Sequence, residues 1–265
     1  MSYKKPNNYP PKFPQKTNWN EVSSWYDNLI GESGAEGYHG TLIIPKITEL
    51  ITKHKLIKEA RILDLACGQG VLTRTLNQLN YKATGLDESG DLIEAARKRS
   101  PSIKYLIADA HKLPFNNEFE AIICILALQN MDNLDSVLKE VSKSLVNNGL
   151  FIFTIIHPCF RIPRQSGWGW DENRKLQYRR IDSYFSEQKI PIKMNPSKQN
   201  SPLTWTFHRP LQKYIEDLSK NNLVVVDLQE WLGNRQSVGA KAKAENRARN
   251  EIPLFLTIVS KKQMS

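Results

Sequence analysis

The strongest constraint on this chain is the regular alternation, between residues 61 and 156, of short apolar runs with segments of helical period. Arg61 to Ala66, Tyr81 to Leu86, Ile103 to Ile107, Ala121 to Leu126 and Leu150 to Ile156 read as strands. Between them lie Val71 to Leu79, Leu92 to Lys98 and the set Leu134, Val137, Leu138, Val141 and Leu145. These place apolar residues three or four positions apart, on one face of a helix. Ser89 fits the N-cap of the second helix and Asp132 or Asn133 that of the third, which Asn147 to Gly149 stop. Apolar strands joined by helices leave no face for water, so they demand a parallel sheet covered on both sides.

The flanking segments carry weaker patterns. Pro45 fits the first turn of a helix with Ile47, Leu50 and Ile51 on its apolar face. Residues 158–204 hold five prolines, scattered aromatics and no long period, and read as an irregular insertion over the active-site edge. A helix over Leu211 to Ser219 and strands over Leu223 to Leu228 and Leu254 to Val259 follow, with Ala240 to Arg249 as a basic surface helix or hairpin. Residues 1–19, rich in Pro, Lys and Asn, read as a flexible arm. Residues 20–265 then form a single domain, since neither a repeat nor a linker divides them.

Composition excludes some classes and leaves others open. The longest apolar run, Leu150 to Ile156, is far too short to span a bilayer, and no apolar stretch follows the basic start, so neither a membrane span nor a signal peptide is expected. Cys67, Cys124 and Cys159 form no CxxC pair, which points to a reducing, cytoplasmic setting. The five histidines lack ligand spacing, so no metal site is expected. The net charge of +10 is unevenly placed: residues 31–156 hold 14 basic against 15 acidic side chains, residues 157–200 hold 9 against 4, and residues 234–262 hold 7 against 2. A neutral core with basic appendages suits an anionic acceptor or RNA, and solvated lysines would also produce it.

The run from Ile62 to Gly70 carries the chemistry. An apolar strand ends in Asp64, and a tight turn with Gly68 and Gly70 opens a helix, so that backbone and helix amides can approach a ligand. The next strand ends in Asp87, 17 residues beyond Gly70, where a carboxylate can accept both hydroxyls of a ribose. These residues resemble the first motifs of the class I S-adenosylmethionine-dependent methyltransferases, with Ala66 in place of the first glycine of an acid-x-Gly-x-Gly-x-Gly pattern. Two further landmarks extend the resemblance. Asp109 and Ala110 precede Leu113, Pro114 and Phe115, and the segment from Ile125 to Met131, with Leu126, follows the fourth strand.

The resemblance implies a doubly wound, Rossmann-like sheet of seven strands, mostly parallel with an antiparallel last strand, and helices on both faces. It implies that Asp64, Ala66, Gly68, Gly70, Asp87, Asp109, Ala110 and Leu126 hold S-adenosylmethionine as co-substrate, Asp109 and Ala110 lying against the adenine. A nicotinamide enzyme would want a third glycine where Thr73 stands. On the acceptor side, Tyr26, Tyr38 and His39 resemble part of a segment that closes over the donor, with packing of aromatics on the sheet as the alternative. Gln129 replaces the first residue of the motif used by amino-methyltransferases acting on bases. His157, directly after the fifth strand, is the first choice of general base. His208 and Arg209 precede a late helix and serve either the acceptor or helix entry. Asp171, Glu172, Arg179 and Arg180 lack motif context and read as solvated surface. A small-molecule methyltransferase leads, an RNA methyltransferase and a non-catalytic donor-binding subunit are the alternatives, and the oligomeric state is left open.

Overall fold

The computed structural model describes residues 17–31, 37–193 and 201–264. Residues 1–16 of the expected arm lie outside them. Five mutually parallel strands form most of the sheet: β1 (Arg61–Leu65), β2 (Lys82–Asp87), β3 (Tyr105–Ile107), β4 (Phe119–Ile125) and β5 (Leu145–Ile156). The insertion adds β6 (Ser166–Asp171), β7 (Leu176–Ile181), β8 (Gln188–Lys193) and β9 (Leu203–His208), and the chain returns to the sheet with β10 (Leu223–Trp231) and β11 (Phe255–Lys262). The seven-stranded sheet has the order β10-β11-β5-β4-β1-β2-β3. Only β11 runs against its neighbours, pairing antiparallel with both β5 and β10. The expected sheet of seven strands with an antiparallel last strand is therefore present.

Alternate residues of the central strands feed two cores. Leu63, Ile122, Phe151 and Phe153 face α5 (Leu134–Ser144) and α6 (Leu211–Lys220). Ile62, Ile123 and Ile152 face α2 (Ile44–Lys53) and α3 (Val71–Gln78). This two-sided burial is what the unbroken apolar strands required. Helix caps follow the expected chemistry: Ser89 Oγ accepts from Leu92 N at the start of α4 (Gly90–Arg99), and Asn133 Oδ1 accepts from Ser136 N at α5. Ahead of the sheet lies α1 (Trp19–Ile30), and a π-helical turn over His39–Ile43 runs into α2. The basic segment before β11 is a helix, α7 (Ala242–Glu251), rather than a hairpin.

The insertion is more regular than its sequence suggests. It consists of two antiparallel hairpins, β6–β7 and β8–β9, the second running up to His208. Most residues of these four strands are half-buried on both faces, so the hydrophobic alternation that marks a two-faced strand is faint. Pro191, one of the five prolines of the insertion, sits within β8, and its carbonyl accepts from Arg164 Nη2. No helix among the described residues is long and apolar enough to cross a membrane.

Phe153 is fully buried, its ring 5.2 Å from that of Phe151 and 6.0 Å from that of Tyr214. Phe153→Ala should lower unfolding stability by about 3–5 kcal/mol. Val238→Ala, at a position 94% exposed, should stay within about 0.5 kcal/mol. Urea unfolding of both variants checks the assignment of the core.

Candidate functional site

Parallel strands bring their carboxyl ends to one edge of the sheet, and the sequence places its polar signals there. After β1 the chain turns through Ala66, Gly68 and Gly70, all at positive φ, before α3 begins. At Gly68 a Cβ would stand 3.1 Å from the Tyr26 ring, and at Gly70 it would collide with the Tyr105 hydroxyl at 2.6 Å. Both positions combine a left-handed backbone with crowding, so only glycine is unstrained. Asp64 lies behind this turn, buried, accepting from Thr73 Oγ1 at 2.6 Å. Burial raises its carboxyl to about 7, against the opposing pull of the Thr73 bond.

Asp87 ties the turn to the second strand. One carboxylate oxygen accepts from Gly68 N at 2.9 Å and the other from Ser89 N at 2.9 Å. Burial raises its pKa, and the bonds from the Ser89, Gly68 and Glu88 amides lower it. A carboxylate offers about four lone-pair sites, so acceptor capacity remains beyond these backbone bonds. Asp87, Asp109, Ala110 and Leu126 border one cavity of about 810 Å³, as do Ala66 and Gly68. Asp64 borders instead a recess of about 30 Å³ behind the turn, and Gly70 borders neither. Asp109 Oδ1 accepts from the backbone amide of His111 and lies 2.6 Å from its ring Nδ1. Leu126, at φ +52°, donates its amide to the Thr154 carbonyl at 2.8 Å and turns the chain out of β4.

The helix α1 covers this edge. Asp27 receives two bonds from Arg99, at 2.7 and 2.8 Å, and Arg99 also bonds Gln69 Oε1, whose side-chain amide donates to Gly31 O. Ser89 Oγ donates to Asn20 Oδ1 at 2.8 Å. Tyr26 is thereby held against Gly68, its phenol pKa pushed up by burial and then by Asp87 and Asp64. Tyr38 and His39 border the same cavity. Burial lowers the His39 pKa to about 4, so its imidazole is neutral near pH 7.

The opposite wall comes from β9 and the loop after β4. Trp205 and Phe207 border the cavity, and Thr206 Oγ1 donates to Asn130 Oδ1 at 3.1 Å. Gln129 reaches back to the Leu126 carbonyl through Nε2 at 2.6 Å, and its buried Oε1 has no hydrogen-bond partner. Arg209 donates through Nη2 to the carbonyls of Met131 and Asp132, fixing that loop, while its buried Nη1 has no partner. His208 Nε2 lies 2.6 Å from the Tyr184 carbonyl and must carry the proton there.

His157 is not where the sequence reading put it. Its ring is buried and does not border the cavity. Nδ1 accepts from Cys159 N at 3.2 Å, so Nε2 carries the proton and faces Glu230 Oε1 at 2.7 Å. Both nitrogens are committed, and burial lowers the pKa against the opposing Glu230 bond. The period of a strand fixes which face a residue takes, but His157 lies just past β5, where the loop direction decides. Conversely, Arg161, Trp205, Phe207 and Arg235 border the cavity without having been singled out as site residues, except where they flank His208 and Arg209. They come from the loop after β5, the second hairpin and the loop after β10, and no local spacing links them. Among the described residues, no group of three or more His, Cys, Asp or Glu could hold a metal ion.

Residues 63–153 match the family described as "Methyltransferase domain". The chain is 31% identical over 116 residues to the demethylmenaquinone methyltransferase of Thermotoga maritima, covering 43% of this chain and 49% of that protein. It is 30% identical over 117 residues to the ubiquinone biosynthesis O-methyltransferase of Pelagibacter ubique, covering 42% and 49%. The matched stretch thus spans about half the length of these relatives. A solved structure of an S-adenosylmethionine-dependent methyltransferase from Mesorhizobium loti shares the fold, with a TM-score of 0.65, 24% identity, and coverage of 81% of this chain and 96% of that one.

His157→Ala removes an internal brace. It should lower unfolding stability by about 1–3 kcal/mol, the cost of leaving buried polar groups without partners. An unfolding midpoint equal to that of the unsubstituted protein would show that the ring does not brace the loop after β5.

Proposed function

We propose that this chain is a class I S-adenosylmethionine-dependent methyltransferase, a reading supported by the match of residues 63–153 to a methyltransferase domain, and that it moves a methyl group from S-adenosylmethionine to a small-molecule acceptor held in the outer part of the cavity. One observation carries this reading: a single cavity of about 810 Å³ reaches from the glycine turn and Asp87 to the aromatic wall of the insertion, under α1. That volume lies toward the upper end of the roughly 300–1,000 Å³ of small-ligand pockets. When bound, S-adenosylmethionine supplies an electrophilic methyl; its S–C bond breaks as the acceptor bond forms, and a neutral thioether leaves.

The residues present fit such a donor. The crowded, glycine-only turn lets backbone approach the ligand, and the spare acceptor capacity of Asp87 matches the two hydroxyls of a ribose. Asp109 and Ala110 border the part of the cavity beyond Asp87, where the adenine would lie. Asp64 supports the turn from behind through Thr73 and supplies negative potential to the recess rather than a contact with the acceptor. Tyr26, Trp25 and the wall with Trp205 and Phe207 exclude water from the reacting atoms and align the acceptor. His39, neutral and bordering both cavity and recess, replaces His157 as the group able to accept a hydrogen bond from the acceptor.

Binding of S-adenosylhomocysteine measured by calorimetry tests the donor half. Asp87→Ala should weaken it about tenfold or more, the scale of hydrogen bonds to a charged group. Absence of binding to folded, unsubstituted protein would overturn the reading.

Asp64 adds a pH dependence with a definite sign. Its carboxyl titrates near 7, and a cationic sulfonium nearby favours the ionised form. S-adenosylmethionine should therefore release protons on binding near pH 7, and more than its neutral thioether product does. Calorimetry in buffers of different ionisation enthalpy measures this, and proton uptake would contradict it. Turnover divides the two histidines: His39→Ala should lose about two- to tenfold, the scale of one hydrogen bond to a neutral group, while His157→Ala keeps activity in proportion to its folded fraction.

A further inference from the structure

We propose that the corner of the cavity formed by Arg161, Tyr38 and Arg235 binds the carboxylate of the acceptor, so that the substrate class is a small aromatic or apolar carboxylic acid. This rests on the methyl-transfer reading of the same cavity and adds the recognition of one end of the acceptor. Arg161 follows β5, Arg235 follows β10, and Tyr38 precedes the π-helical turn into α2; all three border the cavity. The Arg235 guanidinium lies over the Tyr38 ring at 5.0 Å, and that ring packs edge-on against Phe255 at 5.3 Å.

Arg161 is the informative member. Its guanidinium is half-buried and stacks on Trp168 at 4.8 Å. Nε and Nη2 donate to the backbone carbonyls of Pro253 and Ile252, both at 3.3 Å, so neutral acceptors hold the group in place and its charge is not cancelled. Arg179 sits on the other contact of Trp168 at 5.2 Å, and Arg249 of α7 adds a third cation. Burial, Arg179 and Arg249 pull the Arg161 pKa down to about 10, Tyr38 opposes them, and no carboxylate among the described residues contributes. Arg179 is therefore not the solvated surface residue that its sequence context suggested; it donates to Phe160 O and Ser166 Oγ.

Like charges gathered in a partly buried corner repel one another and have lost hydration, so an anion is the ligand that relieves both costs. Among the described residues, the acidic ones bordering the cavity, Asp87, Glu88, Asp109 and Asp132, lie at or beyond the ends of β2, β3 and β4, away from this corner on the β5–β11–β10 side. The cavity is thus polarised, with its negative end where a cationic donor would lie and its positive end for the acceptor. The donor groups left at the corner are the Arg161 edge not used by the two carbonyls, the Arg235 fork and the Tyr38 hydroxyl. Their planar forks match the two oxygens of a carboxylate. Trp25, Trp205 and Phe207 border the same cavity and suit a flat apolar body.

The test uses the full chain saturated with S-adenosylhomocysteine and the matched probes indole-3-acetate, indole-3-acetamide and phenyl phosphate, followed by calorimetry. Indole-3-acetate should bind about tenfold or more tighter than the amide, and Arg161→Gln should abolish that preference. Arg235→Gln, at an exposed position that the fold does not need, should reduce it. In both variants the affinity for S-adenosylhomocysteine should stay within about twofold, since an interaction confined to the acceptor leaves the donor untouched. Loss of S-adenosylhomocysteine binding in the unsubstituted protein would overturn the methyl-transfer reading itself. With that binding intact, equal binding of acid and amide, or a preference untouched by either substitution, would overturn the carboxylate subsite. So would tighter binding of phenyl phosphate, or an RNA affinity that falls with Arg161→Gln.

Discussion

The site depends on one buried carboxylate. Asp87 accepts from the amides of Gly68 and Ser89, and so joins the end of β2 to the glycine turn after β1 and to the cap of α4. A carboxylate withdrawn from water is costly unless hydrogen bonds replace its hydration. Backbone donors do so here, and burial still leaves the pKa raised. The same bonds hold the turn in its left-handed conformation with its amides at the carboxyl edge of the sheet. If the acid moved, Gly68 would lose its partner and α4 would lose the neighbour of its cap.

From this fixed point the cover of the cavity follows. Ser89, beside Asp87, reaches Asn20 of α1, and Arg99 at the end of α4 grips Asp27 of the same helix. Gln69, inside the turn, touches both Arg99 and Gly31. Turn, helix α4 and cover helix form one network, so the position of Tyr26 over Gly68 is set by the elements that position Asp87. A ligand that pressed on Tyr26 would be felt at the turn, because a packed core transmits displacement rather than absorbing it.

Charge divides the cavity along the sheet. The strands β2, β3 and β4 lead into acids, while the loops after β5 and β10 carry arginines whose partners are carbonyls and rings. Part of the basic excess of the chain therefore serves the interior, where Arg161 and Arg179 clasp Trp168. A surface of solvated lysines would not place guanidinium groups half-buried around an indole. This matters for reading composition: net charge reports how many cations a chain has, and only packing reports which of them have lost water.

Much of the scaffold was legible because it rests on period and on short-range chemistry. The apolar runs around Leu63, Ile123 and Phe151 could be buried on both faces only in a parallel sheet, and Ser89 and Asn133 cap helices through bonds spanning three residues. Gly68 and Gly70 announced a turn that side chains forbid, and Asp87 stands at a strand end as its spacing required. The hairpins of the insertion were not legible, since their half-buried strands carry no strong alternation and Pro191 masks one of them. Nor was the direction of His157, which a loop beyond the strand's period turns into a bond with Glu230, 73 residues away. Arg161, Tyr38 and Arg235 are likewise joined only where β5, the N-terminal cover and β10 converge. What the sequence determined by itself was whatever a few neighbouring residues enforce: strand, helix, cap and turn. What only the tertiary structure decided was which distant side chains share one space, because that depends on the packing of loops whose local preferences are weak.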